Sequence, residues 1–389
     1  MADADGVSVA AAGAAGNAVA ATQQPLGPLM VDLRGESLSA AEADLLRHPA
    51  VGAALLFARN YRSKAQIGEL TREIKALRTP PLLLAVDQEG GAVQRLDAGF
   101  FPLPAPARLG ELYDRDRERA RAAATVAGQL MAAEVAQTGI DCSFAPLLDC
   151  QNPRSAVIGA RAFHPDPGAV FELAGAYITG MRRAGMAATL KHFPGHAGVD
   201  ADSHHRRPVD SRALSAIEKR DLAPFAGLAA RAGGVMTAHI QFPRVDHRAP
   251  TYSRIWLREI LRERLGFNGM IFSDDLSMAG AADTGNAGDG AAGAGAGAGD
   301  GAADADDAGD GAAADMPARC IAALNAGCDM ALVCNDPTGA RHAADALGDA
   351  YACDQKRLAA MRITAPAADP NELQRLAAAL TELLPPPDN

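Results

Sequence analysis

The alternation of short apolar runs with amphipathic stretches constrains the fold of this 389-residue chain more than any other feature. Eight apolar runs, each of strand length, recur between residue 29 and residue 334. The predicted strands are residues 29–33, 51–57, 82–86, 140–148, 186–191, 234–240, 270–273 and 330–334. Between them, helical periodicity predicts helices over residues 64–77, 117–137, 170–183, 215–231 and 255–265. Ser39 and Glu42 have the spacing of a capping box ahead of another helix.

Eight strands that each lead into a helix match one architecture in both number and chain length. A doubly wound sheet usually has fewer strands, whereas a (β/α)8 barrel needs all eight. We therefore predict the α/β class and a single-domain TIM barrel over residues 28–362. Residues 363–389 form a predicted C-terminal extension.

Two segments lie outside this pattern. Residues 1–27 are rich in alanine without useful helical periodicity, and residues 280–315 repeat Gly, Ala and Asp. Neither has enough apolar surface to offset the entropy of ordering it, so we predict that both are disordered. The second segment interrupts a loop near the predicted active face, where insertions are tolerated because closure entropy grows slowly with loop length.

The charge of the chain is concentrated in those two segments. They contain ten Asp and no Lys or Arg, which matches the formal net charge of -10 and leaves the barrel close to neutral. A near-neutral barrel has no basic field for nucleic acid, and no run is long and apolar enough to span a membrane.

The acidic N-terminus lacks the basic residues of a secretory signal, and six scattered cysteines are interpreted as buried, reduced thiols. We therefore expect a cytoplasmic protein that acts as a monomer.

Polar side chains occur where the predicted strands end. Asp87, Lys191, His192, His239 and Asp274 come at or just after the carboxyl ends of four predicted strands. In a barrel these ends form one face, which is where active sites are built. We therefore expect these side chains to converge.

Two groups flank a glycosidic bond when it is cut. One protonates the leaving oxygen, and the other attacks the anomeric carbon or activates water. Asp274 follows a rigid strand and is the candidate nucleophile, while Asp275 is interpreted as a cap for the helix that follows. His204 is the candidate acid/base because an imidazole titrates near neutral pH, and Asp202 is placed to orient it.

Five further residues have the chemistry of a sugar clamp. Lys191 and His192 precede a Pro-Gly turn, and Asp87 precedes a glycine turn with Arg95 beyond it. Arg161 occupies a similar position. Carboxylate, ammonium and guanidinium groups placed in this way can bind sugar hydroxyls, although one or two can equally form ion pairs that close the barrel rim.

Three other functions fit parts of this pattern. Because a histidine acid/base has no negative charge to repel phosphate, a phosphorylase is an alternative to a hydrolase. A sugar-binding protein would need the clamp but not the catalytic groups. A metal-dependent hydrolase would take its zinc ligands from His192, His196, Asp202, His204 and His239. No tight His-x-His pair follows the first strand, so we expect no metal and no cofactor.

Several short motifs together carry a specific resemblance. They are residues 85–91 with 93–95, 158–161, 191–196, 202–204 and 272–278, and they include Lys-His-Phe-Pro-Gly-His and Phe-Ser-Asp-Asp-Leu. From about residue 28 to residue 334 the chain resembles the bacterial single-domain β-N-acetylglucosaminidases of glycoside hydrolase family three, the NagZ group. The resemblance implies a TIM barrel and a cytoplasmic β-N-acetylhexosaminidase of peptidoglycan recycling.

The resemblance also implies a substrate and roles for individual residues. Such enzymes remove non-reducing N-acetylglucosamine from N-acetylglucosaminyl-β-1,4-anhydro-N-acetylmuramic acid and its peptide forms, which are small disaccharide and muropeptide substrates. Asp274 becomes the nucleophile, and His204 becomes the acid/base assisted by Asp202. The ligands of the bound sugar become Asp87, Arg95, Arg161, Lys191 and His192.

The chain departs from the family pattern at a few positions. Ala92 and Ala160 stand where larger polar residues are expected, Ala197-Gly198 alters the start of the loop that carries His204, and the insertion 280–315 is atypical. None of these changes falls on a proposed catalytic residue.

Overall fold

The computed structural model describes residues 22–152, 155, 157–196, 208–282, 310–365 and 368–385. Its centre is a parallel sheet of eight strands. These are β1 (Leu29–Asp32), β2 (Val51–Leu56), β3 (Leu83–Val86), β4 (Cys142–Ser143), β5 (Thr189–Phe193), β6 (Gly234–Thr237), β7 (Met270–Asp275) and β8 (Met330–Val333). All eight predicted strands are confirmed, with differences at their ends.

The sheet closes on itself in chain order. From β1 to β4 and from β5 to β8 each strand pairs in parallel with the next, and β8 pairs with β1 through Leu332 and Met30. Between β4 and β5, the Thr189 N–H donates to the Ala145 carbonyl at 2.9 Å. The Leu148 N–H likewise donates to the Lys191 carbonyl at 2.6 Å. The predicted α/β TIM barrel is therefore confirmed.

The core of the barrel is made by the strands themselves. Every residue of β2, β3, β5, β6 and β8 is buried. A barrel strand is covered by helices on the outside and by the other strands on the inside, so it has no face exposed to solvent.

The predicted strand over residues 140–148 is the least regular of the eight. Only Cys142–Ser143 pairs with β3. Pro146, which has no N–H to donate, comes three residues later, and the chain after it runs beside β5 through Leu147 and Lys191. The polar residue that follows this stretch, Asp149, is thereby carried to the carboxyl end of the barrel.

Helices surround the strands. They are α1 (Ala40–Arg47), α2 (Lys64–Ala76), α3 (Pro106–Tyr113), α4 (Arg117–Ala136), α5 (Pro167–Arg183), α6 (Leu214–Lys219), α7 (Leu222–Leu228), α8 (Asp310–Ala326), α9 (Pro337–Leu347), α10 (Gln355–Ala360) and α11 (Pro370–Leu383). The capping box predicted before α1 is confirmed. The Glu42 N–H donates to the Ser39 hydroxyl at 3.2 Å, and the Ser39 N–H donates to the Glu42 carboxylate at 2.9 Å.

Two predicted helices differ from the structure in detail. The prediction of one continuous helix over residues 215–231 is wrong, because the segment divides into α6, α7 and a 3-10 turn at Ala229–Arg231. Pro224 lies in the first turn of α7, and a proline cannot donate the hydrogen bond that would join α7 to the helix before it. The predicted helix over residues 255–265 is present as Ile255–Arg264, with hydrogen bonds of the π type.

The predicted division of the chain stays a prediction. Residues 1–21 and 283–309, which make up most of the predicted tail and insertion, lie outside the described residues. Within the described part, Thr22–Gln23 pairs in parallel with Arg78–Thr79. In the predicted C-terminal extension, α11 lies against α4, where Arg119 donates to the Leu383 carbonyl at 2.8 Å.

All six cysteines lie within the described residues, where they are buried and free of disulfides. Burial raises the pKa of Cys150 and of Cys353 to about 12, so both thiols stay protonated at neutral pH. As for membranes, none of the helices in the described ranges combines the length and the apolar content that a transmembrane span needs.

Candidate active site

One pocket opens where the barrel strands end. Six of the eight residues predicted to form the site line it, and these are Asp87, Arg95, Arg161, Lys191, His192 and Asp274. Apolar side chains also line it, among them Leu55, Met236 and Leu332. The other two predicted residues, Asp202 and His204, lie outside the described residues.

Asp274 is held by the end of β7 and faces the pocket. Its Oδ1 accepts the N–H of Asp275 at 2.9 Å, and its Oδ2 lies 4.0 Å from Nε2 of His192. The Asp274 side chain has a relative solvent exposure of 23%. Burial favours the neutral acid, but His192, His239, the Asp275 N–H and Lys191 outweigh it and hold the pKa of Asp274 below its usual value. The pocket therefore contains an ionised carboxylate.

Two cations of the site are held by one buried carboxylate. Glu89 accepts two hydrogen bonds of 2.8 Å from Arg161, and it lies 2.5 Å from Nζ of Lys191. Lys191 also donates to Asp87 at 2.7 Å. Burial opposes the charge on Glu89, but Lys191 and Arg161 together hold the pKa of Glu89 far below its usual value. The result is a chain of alternating charges that runs from Asp87 through Lys191 and Glu89 to Arg161.

A glycine turn after β3 places Glu89 and Arg95. The strand pair Gln88–Gly90 and Val93–Gln94 folds back on itself, with positive φ angles of 107° at Gly90 and 58° at Gly91. A Cβ on Gly90 would lie 2.5 Å from the Pro104 carbonyl oxygen, so only glycine fits. The Gln88 side chain then accepts the Arg95 N–H at 3.0 Å. The buried Nε of Arg95 has no hydrogen-bond partner among the described residues.

The end of β5 is fixed by Asp149, a fully buried carboxylate. Its Oδ2 lies 2.7 Å from Nδ1 of His192, and its Oδ1 accepts the His196 N–H at 2.6 Å. Burial opposes the charge of Asp149, but His192 and His196 outweigh it and lower the pKa of the carboxyl. His196 also lines the pocket, and its buried Nδ1 has no partner in the described part of the chain.

His239, at the end of β6, has both ring nitrogens within hydrogen-bond distance of protein groups. Its Nε2 lies 3.0 Å from the Asp275 carbonyl oxygen, which can only accept, so Nε2 carries the proton. Its Nδ1 lies 3.0 Å from the Thr251 hydroxyl. Burial also lowers the pKa of His239. Because both nitrogens already have protein partners, this imidazole is poorly placed to protonate a leaving oxygen.

Asp275 does not cap a helix, so that prediction is wrong. No helix begins at this point, and the carboxylate instead accepts the N–H (3.0 Å) and the hydroxyl (2.6 Å) of Ser277. It also accepts the Cys334 N–H at 3.0 Å, which links β7 to the end of β8. Burial raises the pKa of Asp275 to about 7, against these hydrogen bonds.

Sequence reasoning missed three residues of this site. Glu89 lies inside one of the motifs without a predicted role, Asp149 is not among the candidates, and His196 is predicted only as a possible metal ligand. Asp149 directly follows a predicted strand, so the strand-end rule that selected Asp87 and Asp274 could have found it. The burial that makes Glu89 a partner of two cations leaves no signal in the sequence.

The described residues do not form a metal-binding cluster. Within the ranges that the structure describes, no three side chains of His, Cys, Asp or Glu are grouped to hold a metal ion. The zinc-ligand set considered from the sequence includes Asp202 and His204, which lie outside these ranges.

The chain is similar to known proteins over most of its length. The sequence profile of the glycosyl hydrolase family 3 N-terminal domain matches residues 29–363. A β-hexosaminidase from Thioalkalivibrio sulfidiphilus is 49% identical over 329 residues, which cover 83% of this chain and 85% of that protein. A β-hexosaminidase from Pseudomonas aeruginosa is 47% identical over 336 residues, or 86% of this chain and 91% of that protein.

A solved structure shares the whole barrel. The crystal structure of NagZ from Neisseria gonorrhoeae in complex with N-trifluoroacetyl-D-glucosamine matches with a TM-score of 0.79 and 37% identity. The match covers 93% of this chain and 99% of that chain.

Proposed function

Because the chain belongs to glycosyl hydrolase family 3 and is a β-N-acetylglucosaminidase of the NagZ type, we propose that it acts in peptidoglycan recycling in the cytoplasm. Its substrate is N-acetylglucosaminyl-β-1,4-anhydro-N-acetylmuramic acid, alone or with its peptide. It releases the non-reducing N-acetylglucosamine with retention of configuration. The motif resemblance supports the pathway, and the pocket supports the chemistry.

The observation that carries the proposal is the state of Asp274. A retaining glycosidase needs an ionised carboxylate that can reach the anomeric carbon. Asp274 is ionised, has one oxygen fixed by the Asp275 N–H, and has the other directed toward His192 across 4.0 Å. In the proposed mechanism that second oxygen attacks, and a glycosyl-aspartate forms.

The charged chain beside Asp274 is suited to hold a single sugar. Asp87 can accept from sugar hydroxyls while Lys191, paired with it at 2.7 Å, donates to them. Arg95, with its free Nε, can donate to a further oxygen. The phenyl rings that line the pocket are those of Phe57 and Phe144, and Phe144 is fully buried, so the described part of the lining offers no row of phenyl stacking platforms for an extended polysaccharide. The N-trifluoroacetyl-D-glucosamine bound by the gonococcal relative is a sugar of the same class.

We assign the acid/base role to His204, oriented by Asp202. His204 protonates the departing oxygen, and in the second step it takes a proton from the water that attacks the glycosyl-aspartate. Both residues lie outside the described part of the chain, so the motif resemblance supports this step. The state of His239 is consistent with it, because that ring has both nitrogens engaged.

The decisive experiment compares leaving groups. Asp274→Asn should lower kcat on aryl N-acetylglucosaminides by on the order of 10⁴-fold or more, whatever the leaving group. His204→Ala should lower kcat/KM by about 10²–10⁴-fold with the natural disaccharide, and much less with an activated aryl glycoside that leaves without protonation. Wild-type rates in both variants would overturn the assignment.

The same assay separates hydrolysis from phosphorolysis. In phosphate buffer the proposed hydrolase should release free N-acetylglucosamine, detected by mass spectrometry of the products. If the main product were N-acetylglucosamine 1-phosphate, the enzyme would be a phosphorylase.

A further inference from the structure

Asp149 is a fully buried carboxylate that contacts the site without lining the pocket. We propose that Asp149 is a positioning residue, which fixes the proton of His192 on Nδ1 and thereby presents Nε2 to the bound sugar. The inference rests on the proposed function in one respect, since it takes His192 as a sugar ligand.

Two oxygens of Asp149 accept three N–H groups. Oδ2 lies 2.7 Å from Nδ1 of His192 and 3.3 Å from the backbone nitrogen of the same residue. Oδ1 accepts the His196 N–H at 2.6 Å. No lysine or arginine in the described ranges forms an ion pair with this carboxylate, and these three N–H groups are the hydrogen-bond donors that it has there. A buried carboxylate held in this way is a strong acceptor.

This arrangement determines which nitrogen of His192 faces the pocket. An ionised carboxylate only accepts, so Nδ1 must carry a proton. Nε2 then points away from Asp149 and lies 4.0 Å from Oδ2 of Asp274, which is beyond hydrogen-bond distance. Among the described residues no group occupies Nε2, which can therefore bind a sugar hydroxyl next to the nucleophile.

Asp149 also fixes the turn that follows β5. The Gly195 N–H donates to the His192 carbonyl at 2.7 Å, and the next N–H, of His196, reaches Oδ1 of Asp149. Gly195 has a φ of 126°, and a Cβ there would lie 2.5 Å from Cβ of Asp221. The imidazole of His192 and the end of its turn are therefore held by a single side chain.

An amide cannot replace this carboxylate, although it has the same shape. The side chain of asparagine has one oxygen, whereas N–H donors of His192 and His196 face both oxygen positions of Asp149. If its NH₂ group faced His196, two donors would meet across 2.6 Å. If it faced His192, Nδ1 would have to accept, and the proton would move to Nε2. Either orientation of the amide therefore disturbs His192, the residue proposed to bind the sugar.

We expect Asp149→Asn to lower kcat/KM by about 10–100-fold, as is typical when the partner of a functional histidine is lost. The matched control is Asp141→Asn, which changes another buried aspartate, one that accepts from Lys75 at 2.9 Å at the opposite end of the barrel. The control should keep kcat/KM. Because Asp149 acts through His192, adding Asp149→Asn to His192→Gln should cost little more than His192→Gln alone.

The closing experiment reads the proton directly and needs no substrate. In protein labelled with ¹⁵N at histidine, the His192 signals are identified by their loss in His192→Gln. We expect a protonated Nδ1 in the wild type and a change of its shift in Asp149→Asn. A neutral Nε2–H tautomer in the wild type, fully additive losses in the double variant, or an equal loss in Asp141→Asn would overturn the inference. Failure of the wild type to cleave the disaccharide would instead refute the proposed function.

Discussion

The two ends of the barrel bury their carboxylates in different ways. At the amino end, Asp329 accepts from Arg262 (2.6 Å), from Arg357 (2.8 Å) and from the Ile271 N–H (2.7 Å). Asp141 at the same end accepts from Lys75 and from the Leu84 N–H, both at 2.9 Å. These groups join helices to strand starts, and their partners saturate them.

At the carboxyl end the charged groups keep unused bonding capacity. Nε of Arg95 and Nδ1 of His196 have no partner among the described residues, and Oδ2 of Asp274 has no hydrogen bond within them. The Asp87–Lys191–Glu89–Arg161 chain presents its members to the same pocket. We infer that the charges at the amino end stabilise the barrel, while those at the carboxyl end are positioned for a ligand.

Glu89→Gln should have the largest effect, because Glu89 both stabilises the barrel and positions two cations of the site. Removing its charge leaves Lys191 and Arg161 buried with less compensation, which should lower the free energy of unfolding by about 3–5 kcal/mol. Displacement of the two cations should lower kcat/KM by about 100-fold. Urea unfolding and initial rates on an aryl N-acetylglucosaminide measure the two effects.

The control for that variant is Glu134→Gln. Glu134 is also buried and accepts from Lys64 (3.1 Å) and from the Phe101 N–H (3.0 Å), away from the pocket. It should lose stability and keep kcat/KM. Equal kinetic losses in the two variants would show that Glu89 has no special role.

Asp329→Asn tests whether a carboxylate at the amino end of the barrel affects stability alone. We expect the free energy of unfolding to fall by about 2 kcal/mol, because one of three donors loses its acceptor. The value of kcat/KM should not change, since Asp329 is absent from the pocket lining. A large kinetic loss with normal stability would contradict the separation of the two ends.

Asp275→Asn should change the pH dependence of stability rather than its value at a single pH. An aspartate titrates near pH 4 when unfolded, whereas burial raises the pKa of Asp275 to about 7 in the fold. Its contribution to stability is therefore fully present below about pH 4 and is lost as the pH rises through about 7. Between these values the wild type should lose about 1.4 kcal/mol per pH unit relative to the variant. Parallel stability curves from urea unfolding would exclude this titration.

Most of the fold could be predicted because buried strands have a clear pattern. The eight apolar runs identify the eight strands, and Ser39 with Glu42 marks a helix start through local contacts alone. The errors arise where proline removes a donor. Pro146 diverts the chain after β4, and Pro224 divides a helix that periodicity predicts as continuous.

The site could be predicted only in part, because strand ends show where polar residues gather but not how they pair. Asp274 and Lys191 were found in this way. The partners of Lys191 lie far away in the chain, with Asp87 separated by 104 residues. Which carboxylate is buried between two cations, as Glu89 is, depends on tertiary packing and not on local pattern.

In the proposed mechanism Asp274 becomes covalently bound to the sugar. Trapping of this glycosyl-enzyme shows whether the bond forms. An N-acetylglucosaminyl fluoride with a second fluorine on ring carbon C5 keeps a good leaving group but destabilises the oxocarbenium-like transition state, so the glycosyl-enzyme accumulates. Mass spectrometry of the quenched protein and its peptides should find one sugar on the peptide that contains Asp274, and none in Asp274→Asn. A sugar on another residue, or a product of inverted configuration without any adduct, would contradict the account.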